Sequence, residues 1–182
     1  MRSAATPETQ RSEPIAFRCL THGDLAQIHA WLHTPHVARW YEDLDTLKEV
    51  SEQYGAYVTG EEPVEPYMAL YANHPIGYIQ IYRVKDNQEY GRLVSPPNSV
   101  RINVFTGEEE LLYQGLEPLV IRGFIESVVF AEGSVATCII DPEPKNAAAI
   151  RAYKKAGSSI RKQQRPSGGR LTLWSLRGRG FA

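Results

Sequence analysis

"VRINVFTGEEELLYQGLEPLVIRGFIESVVF", Val100–Phe130, decides the fold. Its opening residues read as a strand, and its end, from about Pro118 to Phe130, as a helix that is apolar on most faces. Such a helix packs deeply against a sheet. Pro118 falls in the first turn, where a missing N–H costs nothing. Between strand and helix runs a short acidic loop. A loop that enters a helix N-terminus favours anions, because the free N–H groups and the helix dipole both attract negative charge. Phosphate cradles call for glycines there, and this one has Gly115, with Tyr113 and Glu117 on either side.

Working outward, "VATCII" reads as a buried strand over Val135–Ile140, and "NAAAIRAYKKAG" as a helix over Ala147–Ala156 ended by Gly157. "GRLTLWSLR" closes the chain as an alternating strand. Upstream, "IAFRCL" gives a first strand, and "THGDLAQIHAWLH" a helix with Thr21 as N-cap and Asp24 three residues on. "PHVARWYED" starts a short second helix at Pro35, and Asp45 caps a third through Leu47, Val50 and Tyr54. "EPYMALYA" and "PIGYIQIYRV" form a hairpin around "NHP". The expected architecture is one α/β domain, a mixed and mostly antiparallel twisted sheet flanked by helices, over residues 15–182. Residues 1–14 read as a mobile tail, being polar and aperiodic.

A chain of 182 residues with 42% hydrophobic and 23% charged residues can build one full core. A net charge of −1 gives no reason to expect nucleic acid or an anionic membrane as partner. Neither a membrane-spanning run nor a signal-peptide core is seen, so the reading is a cytoplasmic protein. Cys19 and Cys138 lack metal or redox spacing, and the five histidines show no ligand pattern, so no metal is expected.

The segments "HTPHVARWYED", "EPYMALYANHPIGYIQIY", Val100–Phe130 and "IIDPEPKNAAAIRAYKKAG" together resemble the GNAT acetyltransferases, closest to the aminoglycoside 6'-N-acetyltransferase branch. The resemblance spans roughly Ile15 to Trp174. It implies a GNAT-like fold in which two neighbouring strands splay apart to admit acetyl-CoA. It further implies a pyrophosphate loop at Leu112, Tyr113, Gln114, Gly115, Leu116 and Glu117, with Asn146 as a second cofactor contact. Tyr153 becomes the acid that protonates the departing thiolate. Trp40, Tyr41, Tyr67, Asp141 and Glu143 fall near the acceptor pocket. The implied function is transfer of an acetyl group by direct attack of an amine on a small polycationic, aminoglycoside-like acceptor. A monomer or homodimer is the expected state.

Three positions depart from the family pattern. The loop keeps only Gly115 of the fixed residues, and Glu117 puts a carboxylate where a dianion should dock. At about 5 Å and an effective dielectric near 20, such a pair costs about 3 kcal/mol before screening. Asn103 stands where the branch tends to carry an aspartate, and an asparagine cannot act as a base near neutral pH. Ser158 replaces an aromatic after Gly157. These departures leave a second reading open: a catalytically silent GNAT-fold protein, impaired in acetyl-CoA binding, that binds a small molecule or a protein. Residue by residue, plain alternatives also stand: Tyr153 as a packing tyrosine, Asn146 as a helix cap, Trp40 and Tyr41 as core aromatics, Asp141 and Glu143 as a solvated turn.

Overall fold

The computed structural model of the chain describes residues 14–41, 44–86, 98–131, 133–164 and 170–177. The expected tail lies outside these residues, apart from Pro14. Strand β1 (Ile15–Cys19) leads into helices α1 (Leu25–Leu32), α2 (Pro35–Ala38) and α3 (Leu47–Thr59). Strands β2 (Val64–Tyr71), β3 (His74–Arg83) and β4 (Ser99–Thr106) follow, then helix α4 (Leu116–Phe124). Strand β5 (Thr137–Ile140), helix α5 (Ala147–Ala156) and strands β6 (Ser159–Gln164) and β7 (Arg170–Arg177) complete the domain. The described strands form one sheet in the order β1-β2-β3-β4-β5-β7-β6. All pairs are antiparallel except β4 with β5.

The α/β class and the mostly antiparallel mixed sheet agree with the expectation from sequence. Several details differ. The cap of α3 is Thr46, whose hydroxyl accepts from the Glu49 N–H while the Glu49 carboxylate accepts from the Thr46 N–H. Asp45 lies one residue too early for that reciprocal pair. The β2–β3 hairpin turns on Ala72 and Asn73, both with positive φ (50° and 65°). A two-residue turn with both φ positive matches the twist of the flanking strands. The deep helix splits: after Phe124 it widens into a π turn over Ile125–Val129, where the Ser127 hydroxyl donates to the Gly123 carbonyl at 2.6 Å. Strand β6 was not expected from sequence.

Each face of the sheet carries its own core, and the period of two along each strand decides which residue meets which. Ala69, Ile79, Ile81, Val100 and Ile102 pack on Val120, Ile121, Phe124 and Ile125 of the α4 segment. Met68, Tyr78 and Phe105 pack on the opposite side, against Ile28, Trp31, Val37, Val50 and Tyr54 of α1–α3. Each fully buried side chain of this size contributes about 1.5–3 kcal/mol.

The sheet does not stay closed. Strand β4 pairs with β3 from Val100 to Thr106, but β5 pairs with β4 only at Ser99–Arg101. Beyond Ile140 the chain reads Asp141-Pro142, and a proline cannot extend a ladder. From Ile102 onward, the β5-facing edge of β4 has no strand partner among the described residues.

Candidate functional site

The gap between β4 and β5 opens into two cavities. One, of about 300 Å³, runs along the outer half of β4 to the loop before α4 and the outer side of α5. The other, of about 340 Å³, lies under α3, over the face of the sheet that carries Gln80, Tyr82, Arg101 and Asn103. Trp40, Tyr41, Val104, Asn146, Ala149 and Tyr153 line both. The two therefore meet at Tyr153.

The loop-side cavity is shaped by backbone. Gly115 sits at φ 80° as the residue before α4, so the first N–H groups of the helix point toward the loop. Tyr113 sits at φ 63°, also in the left-handed region, which costs a non-glycine residue about 1–2 kcal/mol. Its side chain is 83% exposed, so its bulk points largely to solvent. Leu112, Tyr113, Gly115 and Glu117 line the cavity, whereas Gln114 and Leu116 do not. Gln114 instead donates from Nε2 to the Glu110 carbonyl at 2.6 Å.

The start of this loop is pinned from the other face of the sheet. The indole N–H of Trp31 donates to Glu108 Oε1 at 2.9 Å, and Gly107 lies flat against the same ring. A Cβ on Gly107 would fall inside the indole, which is why only glycine fits. Glu108, part of the short acidic loop read from sequence, is thus a structural acceptor.

The second cavity is shaped by side chains. Tyr41, Tyr54, Tyr57, Tyr82 and Tyr153 line it, with Gln53, Gln80 and Asn103. Gln80 ties one of these phenols to the buried Tyr78 behind it: its Oε1 accepts from Tyr78 at 2.6 Å and its Nε2 donates to Tyr82. Burial, before any other cause, pushes the phenols of Tyr41, Tyr54, Tyr82 and Tyr153 above their ordinary range. At Tyr153 the negative charge of Asp141 adds to this, and Arg101 opposes it. All four are therefore neutral hydroxyls that can donate.

The sequence-derived residues distribute unevenly. Tyr153 is 5% exposed and stands where the cavities meet. Asn146 caps α5 by accepting from the Ala149 N–H at 3.0 Å and also lines both cavities, so its capping role leaves it at the cavity wall. Trp40 and Tyr41 line both, and Tyr41 meets Phe105 edge-on at 4.9 Å. Asn103 and Glu143 line the second cavity. Asp141 also lines it, but its Oδ1 accepts from Arg101 Nε at 2.6 Å, so this carboxylate arrives already paired.

Tyr67 is a correction. It lines neither cavity; its ring meets Phe124 edge-on at 5.2 Å, on the α4 side of the sheet. Strand alternation explains this, since Tyr67 pairs with Ile79 and shares its face, whereas its neighbour Met68 pairs with Tyr78 on the other. Sequence reasoning in turn missed Tyr54, Tyr57, Tyr82, Gln80, Arg101 and His36. The alternation of "YIQIY" (Tyr78, Gln80, Tyr82) on one face was a legible signal for three positions of the α1–α3 side.

A sheet that parts at one parallel pair, with a loop and helix N-terminus at the opening, defines an acyltransferase fold that admits an extended co-substrate between two strands. The chain belongs to the GNAT acetyltransferase family: the acetyltransferase (GNAT) domain matches residues 21–165. It is similar to aminoglycoside N(6')-acetyltransferase type 1 from Klebsiella pneumoniae, 32% identical over 153 residues that cover 82% of this chain and 76% of the relative. A lysine N-acyltransferase from Mycolicibacterium paratuberculosis is 22% identical, over 93% of this chain and 76% of its own. Among solved structures, aminoglycoside acetyltransferase AAC(6')-Ib in complex with coenzyme A and kanamycin superposes with a TM-score of 0.79 at 29% identity. That match covers 90% of this chain and 95% of the other. The co-substrate of the family is acetyl-CoA.

Proposed function

We propose that this chain transfers an acetyl group from acetyl-CoA to an amine of a small polycationic, aminoglycoside-like acceptor by direct attack. The observation that carries this reading is the junction of two cavities at Tyr153, one ending at a helix N-terminus and the other walled by hydroxyls, amides and carboxylates. The likeness to aminoglycoside acetyltransferases supports it.

The loop-side cavity fits the donor. Backbone N–H groups of the Leu112–Glu117 loop and the first turn of α4 are the groups to hold the pyrophosphate, with Asn146 beside the arm. The unpaired edge of β4 leaves strand amides to orient and polarise a carbonyl. Acetyl-CoA supplies an activated thioester. The protein holds amine and thioester side by side, and proximity accounts for about 7–11 kcal/mol in well-oriented cases.

Tyr153 is the group for the leaving sulfur. Its phenol, held neutral by burial, offers a hydrogen bond to the sulfur at the junction as negative charge develops there. Asn103 pairs with Gln80 across the β3–β4 ladder and faces the acceptor cavity, where its amide orients the amine without taking its proton. Water removes that proton. Trp40 and Tyr41 offer aromatic faces, and Glu143, which is exposed at the rim, attracts cations.

The test is product detection by mass spectrometry with acetyl-CoA and a panel of amines, from simple monoamines to kanamycin. The expected result is a singly acetylated amino-sugar, with a KM for the amine that rises with salt. A panel without any acetylated product contradicts the reading.

A further inference from the structure

Among the described residues, the charged side chains on the loop-side cavity wall are Glu117 of α4 and Arg151 and Lys155 of α5. Glu117 stands in the first turn of α4, where it opposes any anion that docks on the helix N-terminus. The loop itself, Leu112 to Leu116, carries no cation to offset it. The cations come from the facing wall.

Arg151 and Lys155 are four residues apart, so they lie one turn apart on one helix face. Ala148 and Ala152 line the cavity on that face and leave room beside them. Like charges at this spacing repel and weaken a helix. Nothing on α5 relieves the repulsion, since Ala147, Ala148, Lys154 and Lys155 stand three and four residues from Arg151. Both side chains are exposed, and among the described residues neither forms an ion pair with Glu117 or any other carboxylate. The carbonyl of Lys155 accepts from Arg122 Nη2 at 3.0 Å, which fixes this turn against α4 and leaves the ammonium unengaged. Cations in a last turn also complement the helix dipole. Lys154 does that without lining the cavity, however, and Arg151 lies a turn earlier.

A ligand that satisfies this wall brings an anion besides the one taken by the helix N-terminus. Coenzyme A has two such groups, a pyrophosphate and a phosphomonoester on the 3' position of the same ribose. We propose that Arg151 and Lys155 form the site for the 3'-phosphate. They make this chain select coenzyme A thioesters over donors without that group, such as dephospho-coenzyme A or a phosphopantetheine arm on a carrier protein. The proposal rests on the reading of the loop-side cavity as the donor site. It moves part of the donor's electrostatic recognition from the loop, where Glu117 opposes it, to α5.

Calorimetry on the full chain tests it, with coenzyme A and dephospho-coenzyme A as paired probes. The native chain should bind coenzyme A about tenfold more tightly, the scale expected of two exposed cations on one dianion. Arg151→Gln combined with Lys155→Gln should erase that preference and leave dephospho-coenzyme A affinity within about twofold. Lys154→Gln, which removes a charge from the same turn away from the cavity, should keep the preference. Equal affinity of the native chain for the two probes overturns this inference alone, and needs no variant to show it. A preference that survives the double substitution overturns it too. So does one that Lys154→Gln abolishes as fully, because net charge would then suffice. Binding of neither probe removes the donor-site reading and this inference with it.

Discussion

The two cavities are of similar size, about 300 and 340 Å³, yet they are built from different material. The loop-side cavity takes its shape from main chain: a helix N-terminus, two residues at positive φ and the open edge of β4. The acceptor cavity takes its shape from side chains: five tyrosines, four amides and the Arg101–Asp141 pair. A site made of backbone tolerates changes of side chain as long as the φ values persist. This is why Tyr113 can stand in a loop proposed to hold phosphate, with its ring turned outward at 83% exposure. A site made of side chains changes its ligand whenever one residue changes. Asn103 and the paired Asp141 therefore bear on the identity of the acceptor more than Tyr113 bears on that of the donor.

Substitution at the shared wall should break both cavities' cooperation while sparing each. Tyr153→Phe keeps the ring and removes the only atom assigned to the chemistry, so kcat should fall about a hundredfold or more. The Kd values for acetyl-CoA and kanamycin should stay near native; a proportional loss of binding would make Tyr153 a packing residue instead.

Next in size is an attack on the backbone cavity from behind. Gly107→Ala forces a methyl into the Trp31 indole, and overpacking of this kind costs about 1–3 kcal/mol. Denaturant unfolding should show that loss, together with weaker coenzyme A binding as the loop start shifts. Unchanged stability would mean that the Trp31 latch on the loop is loose.

The acceptor cavity should respond to charge. Asp141→Asn removes one carboxylate and leaves Arg101 without that partner, so a cationic acceptor loses attraction and gains repulsion. Kanamycin affinity should drop about tenfold at low salt, with coenzyme A affinity unaffected. Equal losses for both ligands would erase the distinction between the cavities.

Smaller still is Tyr113→Gly, which relieves a left-handed residue and should raise stability or donor affinity by about 1 kcal/mol, read as a severalfold tighter Kd. The last effect concerns stability alone and lies away from both cavities. Both terminal guanidinium nitrogens of Arg18 donate to Asp24 at 2.7 Å and hold its carboxyl down at about 2. A depressed carboxyl pKa stabilises the fold above its unfolded value of 3.8, and that contribution is lost as pH falls from about 4 toward 2. Asp24→Asn should flatten the acid limb of stability over that window without altering either ligand's affinity.

The legible part of this molecule was the part written in local pattern. Asp-Pro, Asn146 and Tyr153 stand in one short segment, so strand end, cap and junction tyrosine could be placed together. The Thr21–Asp24 pair held in part for the same reason: three residues apart, they meet within one turn, where the Asp24 carboxylate accepts from the Thr21 N–H. That turn is a short 3-10 turn before α1, and Asp24 is the residue at the N-cap of α1 itself. What escaped depends on parity and on distant pairing. Tyr67 and Met68 are neighbours in sequence and opposite in space, and nothing local tells which faces α4. Arg101 and Asp141 are forty residues apart and meet because β4 and β5 run parallel for three residues. His36 was weighed with four other histidines as a metal ligand, whereas its partner is a carbonyl at the end of β4.

The claim that joins all of this is that the two cavities form one channel through the Tyr153 junction. A conjugate that links coenzyme A through its sulfur to an amine of kanamycin spans that junction, and calorimetry can compare it with its halves. The account predicts a Kd at least a hundredfold tighter than that of either half, displaced by coenzyme A and by kanamycin alike. A conjugate that binds no better than coenzyme A, and that kanamycin cannot displace, would contradict it.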